Sequence, residues 1–270
     1  METMRDDRTV LAIVEQLALA AGRRIVEIRN RGFEIEAKSD ASPVTQADRD
    51  AELLILAGLR EHFSGVPVIA EEEASAGVTV DADDDVFFLI DPLDGTKEFV
   101  GGGSDFTVNI ALVRESEPVV GVVYAPAANT LYCGAGTVAE MVRTDAAHKP
   151  VDRRRIAARE GRSPLTIVAS RSHNTPETDA FIRRHEPAAR VNIGSSLKFC
   201  LLASGAADLY PRFGRTMQWD TAAGDAVLRA AGGMTRTLNG QPFRYGQGIC
   251  PGDAPFANPH FVAEGRVRRS

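Results

Sequence analysis

The chain has 270 residues, 44% of them hydrophobic, and a formal net charge of −6. That is enough apolar material for one large or two ordinary domains with a substantial core. The negative balance argues against a nucleic-acid polymer as partner, because such binding needs a basic surface to neutralise many phosphates, and leaves room for a small phosphorylated ligand if cations offset the repulsion.

Val10, Ile13, Val14, Leu17, Ala21, Ile25 and Ile28 recur at spacings of three and four, which predicts one amphipathic helix over residues 9–31, ended by Gly32. A polar loop, KSDASPVTQAD, leads into a second helix near 48–60, with Asp48 near its N-terminus. VPVIAEEEAS reads as a short strand ending in three glutamates, and VFFLIDPLDG repeats the arrangement with Asp91 at the strand end. The acids within 81–85 precede that strand and are assigned to solvent. FTVNIALV and PVVGVVYAP continue as strands punctuated by Gly and Pro. The polar stretch 142–164 is the expected boundary between an N-terminal α+β domain (1–150) and a C-terminal α/β domain (151–270). Beyond it come a strand in LTIVAS, a helix at 176–184 and a helix in SSLKFCLLASG ended by Gly205. WDTAAGDAVLRAAGG then puts Asp220 directly before a small-residue helix with Gly232 at its end. The fold class is mixed α/β, and no internal repeat is visible.

Cys133, Cys200 and Cys250 are scattered, without the paired spacing of a zinc site or a redox dithiol, which suits a reducing compartment. The first residues are polar, so no signal peptide is read. Apolar runs such as 86–90 are far shorter than the about 20 residues of a membrane span. The expectation is a soluble cytoplasmic protein, with loose attachment at the inner membrane surface left open.

LIDPLDGTKEFVGGG, residues 89–103, poses the functional question. Asp91 and Asp94 are separated by a stiff Pro92, and Asp94-Gly95 offers a turn, so both carboxylates could face one point. Glu71 and Asp220 could complete an oxygen set for magnesium, which takes about six oxygen ligands and keeps several waters. Gly95 and Thr96 add backbone N–H groups for a phosphate, and the Thr96 hydroxyl could pass a proton toward Asp48. Ordinary roles compete at each position: turn chemistry for the DPLDG segment, a solvated loop for residues 71–73, and helix caps for Asp48 and Asp220.

Taken together, EE, DPLDGT and WDTAAG resemble the magnesium-dependent, lithium-sensitive phosphatases of the inositol monophosphatase superfamily, over about residues 10–260. SPVTQAD, DPLDGTKEF, FTVNIALV, GVVYAP, SRSH, GSSLKFCL and LYPRFG resemble its 3′(2′),5′-bisphosphate nucleotidase branch. The resemblance implies a layered α-β-α-β-α fold with two sheets, and two or three Mg2+ ions held by Glu71, Asp91, the Leu93 carbonyl, Asp94 and Asp220, with Asp91 as bridge. It implies catalytic roles for Asp48, Thr96 and Glu71, and an outer acid at Glu72. Substrate contacts fall on Glu71, Leu93, Asp94, Gly95, Thr96 and Asp220 around the scissile phosphate, and on His173, Ser195, Lys198 and Arg212 around the remainder of a nucleotide bisphosphate. The implied reaction releases the 3′-phosphate of adenosine 3′,5′-bisphosphate, a by-product of sulfate assimilation. Rival readings are a phosphatase for inositol monophosphate or another small ester, and a non-catalytic nucleotide sensor.

Overall fold

The computed structural model describes residues 6–37, 43–79, 85–161 and 163–266. In chain order the elements are α1 (Asp7–Arg31), β1 (Ile35–Ala37), β2 (Pro43–Thr45), α2 (Gln46–His62), β3 (Val68–Ala70), α3 (Glu71–Ser75), β4 (Val86–Asp94), α4 (Thr96–Val100), β5 (Thr107–Arg114), β6 (Glu117–Ala125), β7 (Thr130–Ala135), β8 (Val138–Thr144) and β9 (Pro150–Ile156). They continue as β10 (Thr166–Ser170), α5 (Pro176–Arg184), β11 (Ala189–Ile193), α6 (Leu197–Ala203), β12 (Leu209–Arg212), α7 (Ala222–Ala230), β13 (Met234–Thr237) and β14 (Phe261–Glu264). α1 starts two residues before the expected helix because Asp6 caps it, accepting from the N–H groups of Arg8 and Thr9.

Two large sheets result. The first has the order β3-β4-β5-β6-β7-β8-β9, antiparallel except for the β3–β4 pair, and the second has the order β11-β10-β12-β14-β13. α1 and α2 cover one face of the first sheet, α6 and α7 lie between the sheets, and α5 covers the outer face of the second. This is the five-layer α-β-α-β-α arrangement. Strand β4 is apolar throughout its run because it is buried on both faces: Phe88 and Ile90 join the core under α1 and α2, while Phe87 and Leu89 join the core with Phe199, Val227 and Phe261. The polar stretch 142–164 holds the end of β8 and the whole of β9, whose mostly exposed residues form the sheet's last strand.

One close contact matters for the site. A Cβ at Gly121 of β6 would stand 2.3 Å from the Ala223 carbonyl, and one at Gly134 of β7 would stand 2.8 Å from Val227 Cα. The two glycines therefore let α7 lie directly on the sheet backbone, and the 3-10 turn before that helix, which ends at Asp220, packs against β4.

Among the described residues no helix is long and apolar enough to cross a membrane. The three cysteines are free thiols, Cys133 and Cys200 buried. Asp85 is exposed, and the other acids of 81–85 lie outside the described residues.

Candidate active site

The DPLD segment works through a β-bulge. Asp91 pairs with Asn109 and Asp94 with Thr107, so three steps along β4 match two along β5. In a regular strand, residues three apart point to opposite faces, and the extra residue restores the parity that puts both carboxylates on one side. Pro92, which has no N–H to give to a ladder, falls inside this irregularity. Asp91 holds the bulge itself, accepting the Leu93 N–H at 3.0 Å. Gly95 follows at φ +95, and α4 starts at Thr96, so the first backbone N–H groups of that turn have no partner within the helix.

Glu71 arrives differently from expectation. Residues 71–73 form the first turn of α3 and are half-buried, not a solvated loop. The reason is Glu52, a buried residue of α2 whose two carboxylate oxygens accept the N–H groups of Glu72 (2.8 Å) and Glu73 (2.9 Å). Burial, more than any neighbouring charge, pushes Glu52 up to about 7. Sequence reasoning missed this residue; its signal is a carboxylate four residues after Asp48, on the face of α2 that also buries Ile55 and Leu59. Glu72 is absent from the cavity lining, whereas Glu73 is part of it. Asp220 ends a 3-10 turn (Gln218–Asp220), and its carboxylate accepts the Met217 N–H at 2.8 Å. The N-cap position of α7 belongs to Thr221, so Asp220 closes the turn before the helix.

Asp48 caps α2 with one carboxylate oxygen and reaches Thr96 with the other. Its Oδ2 accepts from Thr45 N (2.8 Å) and Thr45 Oγ1 (2.7 Å), which completes a capping box at the start of α2. Its Oδ1 accepts from Thr96 Oγ1 at 3.0 Å, and the same hydroxyl lies 3.2 Å from the Leu93 carbonyl. Burial raises Asp48 above the usual carboxylate range, with the Thr45 and Thr96 hydrogen bonds opposing.

The second half of the chain contributes cationic and polar groups. Lys198 is buried, donates to the Ser195 carbonyl, and lies 5.5 Å from the centroid of the Tyr210 ring. Burial pulls it down to about 8. Arg212 donates to the carbonyls of His173 (2.8 Å) and Arg215 (2.9 Å). His173 is lowered, first by burial and then by the Arg212 charge. Ser195 adopts a left-handed φ of +48, and its hydroxyl, like Arg212 Nε, is buried without a protein partner among the described residues. Strain and orphaned donors in one place are what a recognition surface leaves when its ligand supplies the missing partner.

One cavity of ≈ 670 Å³ is lined by Glu71, Asp91, Leu93, Asp94, Gly95, Thr96, His173, Ser195, Lys198, Arg212 and Asp220. Asp48 stands behind Thr96. Burial first, and then the charges of Glu71, Asp94 and Asp220, push Asp91 well above the usual carboxylate range. Burial likewise raises Asp94, against the pull of Lys198, and raises Asp220 together with the charges of Asp94 and Glu71. A divalent cation relieves the same repulsion, so an all-oxygen set of this kind fits a hard ion such as Mg2+. Among the described residues no group of three or more acidic, histidine or cysteine side chains is placed to hold a metal ion by itself. The Leu93 carbonyl, waters and phosphate oxygens would complete the coordination.

A family model described as "Inositol monophosphatase family" matches residues 6–264. The chain belongs to that family. Within it, the chain is 42% identical over 248 residues to "3'(2'),5'-bisphosphate nucleotidase CysQ" of Escherichia coli (strain K12), covering 91% of this chain and 96% of the relative. A protein of the same name from Haemophilus influenzae is 31% identical over 253 residues, covering 92% and 90%. Among solved structures, CysQ from Bacteroides thetaiotaomicron, described as a bacterial member of the inositol monophosphatase family, superposes with a TM-score of 0.77 at 35% identity, covering 97% of this chain and 99% of that one. The inositol monophosphatase of Anabaena superposes at 0.73 with 25% identity, covering 96% and 91%. The five-layer fold is thus the family's.

Proposed function

We propose that this chain is a magnesium-dependent 3′(2′),5′-bisphosphate nucleotidase that converts adenosine 3′,5′-bisphosphate to AMP and phosphate. The observation that carries this reading is a single cavity that gathers Glu71, Asp91, Asp94 and Asp220 and also presents Lys198 and Arg212. A substrate with two phosphates matches that lining: cations beside the acids offset the charge of the scissile phosphate, and the basic side chains meet the distal one. Similarity to relatives named as bisphosphate nucleotidases supports this choice of substrate. In this reading residues 1–150 carry most of the cation ligands and the proton path, and residues 151–270 carry Asp220 and the groups that face the rest of the nucleotide.

Glu71, Asp91, Asp94, Asp220 and the Leu93 carbonyl would hold the ions, two or three in number. When bound, such ions neutralise phosphate charge and make a water more acidic. The chain's own groups do the rest. Thr96 Oγ1 accepts a hydrogen bond from the attacking water while its own proton points at Asp48 Oδ1, 3.0 Å away. Burial makes Asp48 the stronger proton acceptor, so the water's proton ends there through the threonine. The N–H groups of Gly95 and Thr96 fix the phosphate oxygens, and this preorganised electrostatic setting suits a transition state that spreads charge over them.

The test is phosphate release from adenosine 3′,5′-bisphosphate and from inositol monophosphate, each with Mg2+ and with a chelator. Mg2+-dependent release that favours the bisphosphate is expected. Equal or faster release from inositol monophosphate would overturn the substrate assignment. Binding of the bisphosphate with no release from either ester would make the protein a nucleotide sensor.

A further inference from the structure

Three of the cavity's carboxylates are held by hydrogen-bond donors of different origin. Asp91 accepts from the main chain of its own bulge, and Asp220 from the main chain of its own turn. Asp94 accepts at Oδ2 from the hydroxyl of Ser196, 102 residues away along the chain, at 3.0 Å. The same Ser196 Oγ lies 2.6 Å from the Asp220 carbonyl and accepts from Asn109 Nδ2 at 2.9 Å. Asn109 is the β5 residue paired with Asp91. One buried hydroxyl, 2% exposed, thus touches the β4 bulge, the turn ahead of α7 and β5 at once.

A serine hydroxyl has one hydrogen, and Asp94 Oδ2 and the Asp220 carbonyl are both acceptors. The Asn109 amide fills a lone pair of the oxygen, which leaves the single O–H to be shared between those two acceptors. Asn109 Oδ1 and Thr107 Oγ1 are buried with no partner among the described residues, so the Asn109 side chain is oriented through Ser196. Moving Ser196 would therefore move Asp94, Asp220 and Asn109 relative to one another.

We propose that Ser196 is a positioning residue that sets the spacing of Asp94 and Asp220 and thereby tunes the affinity of the cavity for its divalent cation. This rests on the reading of those two carboxylates as cation ligands. Groups that orient ligating carboxylates typically change metal affinity by about 10–100-fold when removed.

The experiment measures the affinity for Mn2+ alone, by electron paramagnetic resonance without substrate, alongside the Mg2+ concentration that half-activates phosphate release. Ser196→Ala should weaken Mn2+ binding by about 10–100-fold, shift the Mg2+ requirement in parallel, and leave the KM for the bisphosphate at saturating Mg2+ close to that of the parent. Ser196→Thr, which keeps the hydroxyl, should recover most of the affinity. Asn109→Ala, which removes the donor that orients that hydroxyl, should weaken Mn2+ binding in the same direction. Unchanged Mn2+ affinity in Ser196→Ala overturns the proposal, and if that variant does not fold, unchanged affinity in Asn109→Ala does so. Asp94→Asn is the control: if it binds Mn2+ as the parent does, the ligand reading itself fails, separately from the role of Ser196.

Discussion

Asp48→Asn separates a proton acceptor from a helix cap that occupies the same side chain. The geometry admits the amide without orphaning a buried group. Its carbonyl oxygen can take both Thr45 donors, now at 2.8 and 2.7 Å from Oδ2, while its NH2 faces Thr96 Oγ1 and the threonine proton turns to the Leu93 carbonyl at 3.2 Å. The cost is the loss of a negative charge at the start of α2, about 0.3–1 kcal/mol, partly offset by no longer burying that charge. For a chain of this size that corresponds to a melting-temperature change of no more than about 4 °C. Catalysis should respond on another scale. An amide cannot take a proton, and a positioned general base contributes about 10²–10⁴-fold, so kcat should fall by that factor while KM changes little. The pH profile gives an independent readout: Asp48 must be ionised to act, so the parent loses rate as pH falls through its raised pKa, and the variant should lose that acid limb. The assay is phosphate release at saturating Mg2+ across pH, with a thermal melt alongside. A kcat within tenfold of the parent would remove Asp48 from the proton path, and a collapse of stability would assign it to the cap alone.

Lys198→Met should raise KM for the bisphosphate by about 10–150-fold, the equivalent of a charged hydrogen bond worth roughly 1.5–3 kcal/mol, and affect single-phosphate esters less. Because burial places Lys198 at about 8, its charge is present below that pH and lost above it; KM of the parent should rise on the alkaline side, and this dependence should vanish in the variant. Glu52→Gln offers one acceptor to the two N–H groups of Glu72 and Glu73, leaving one unmet at about 1–3 kcal/mol, and should lower the melting temperature by several degrees in a thermal scan. Gly95→Ala places a Cβ 2.7 Å from the Asp105 carbonyl at φ +95, so it should displace Thr96 and cut kcat, and full activity in the phosphate-release assay would show that this turn tolerates a side chain.

Local structure was legible in the sequence where it depends on neighbours along the chain. The apolar periodicity marks α1, Pro176–Arg184 is the helix α5, and DPLDG and WDTAAG announce acids at turns. The alternatives left open at those acids show where such reading stops: nothing in EEEAS tells a solvated loop from α3, because the group that decides, Glu52, belongs to a different helix.

Composition, the approximate positions of α1, α2, α5, α6 and α7 and of strands β3 to β6 and β10, and the identities of the acidic residues follow from the amino-acid sequence by itself, since each depends on side-chain polarity and on spacings of a few residues. Only the tertiary structure decided that Asp91 and Asp94 share a face, through a one-residue mismatch of register against β5, and that Asp220 reaches them, with α7 lying on Gly121 and Gly134 and the turn before it packed against β4. Register and helix docking are set by packing between segments remote along the chain, and no local rule of polarity or period records them.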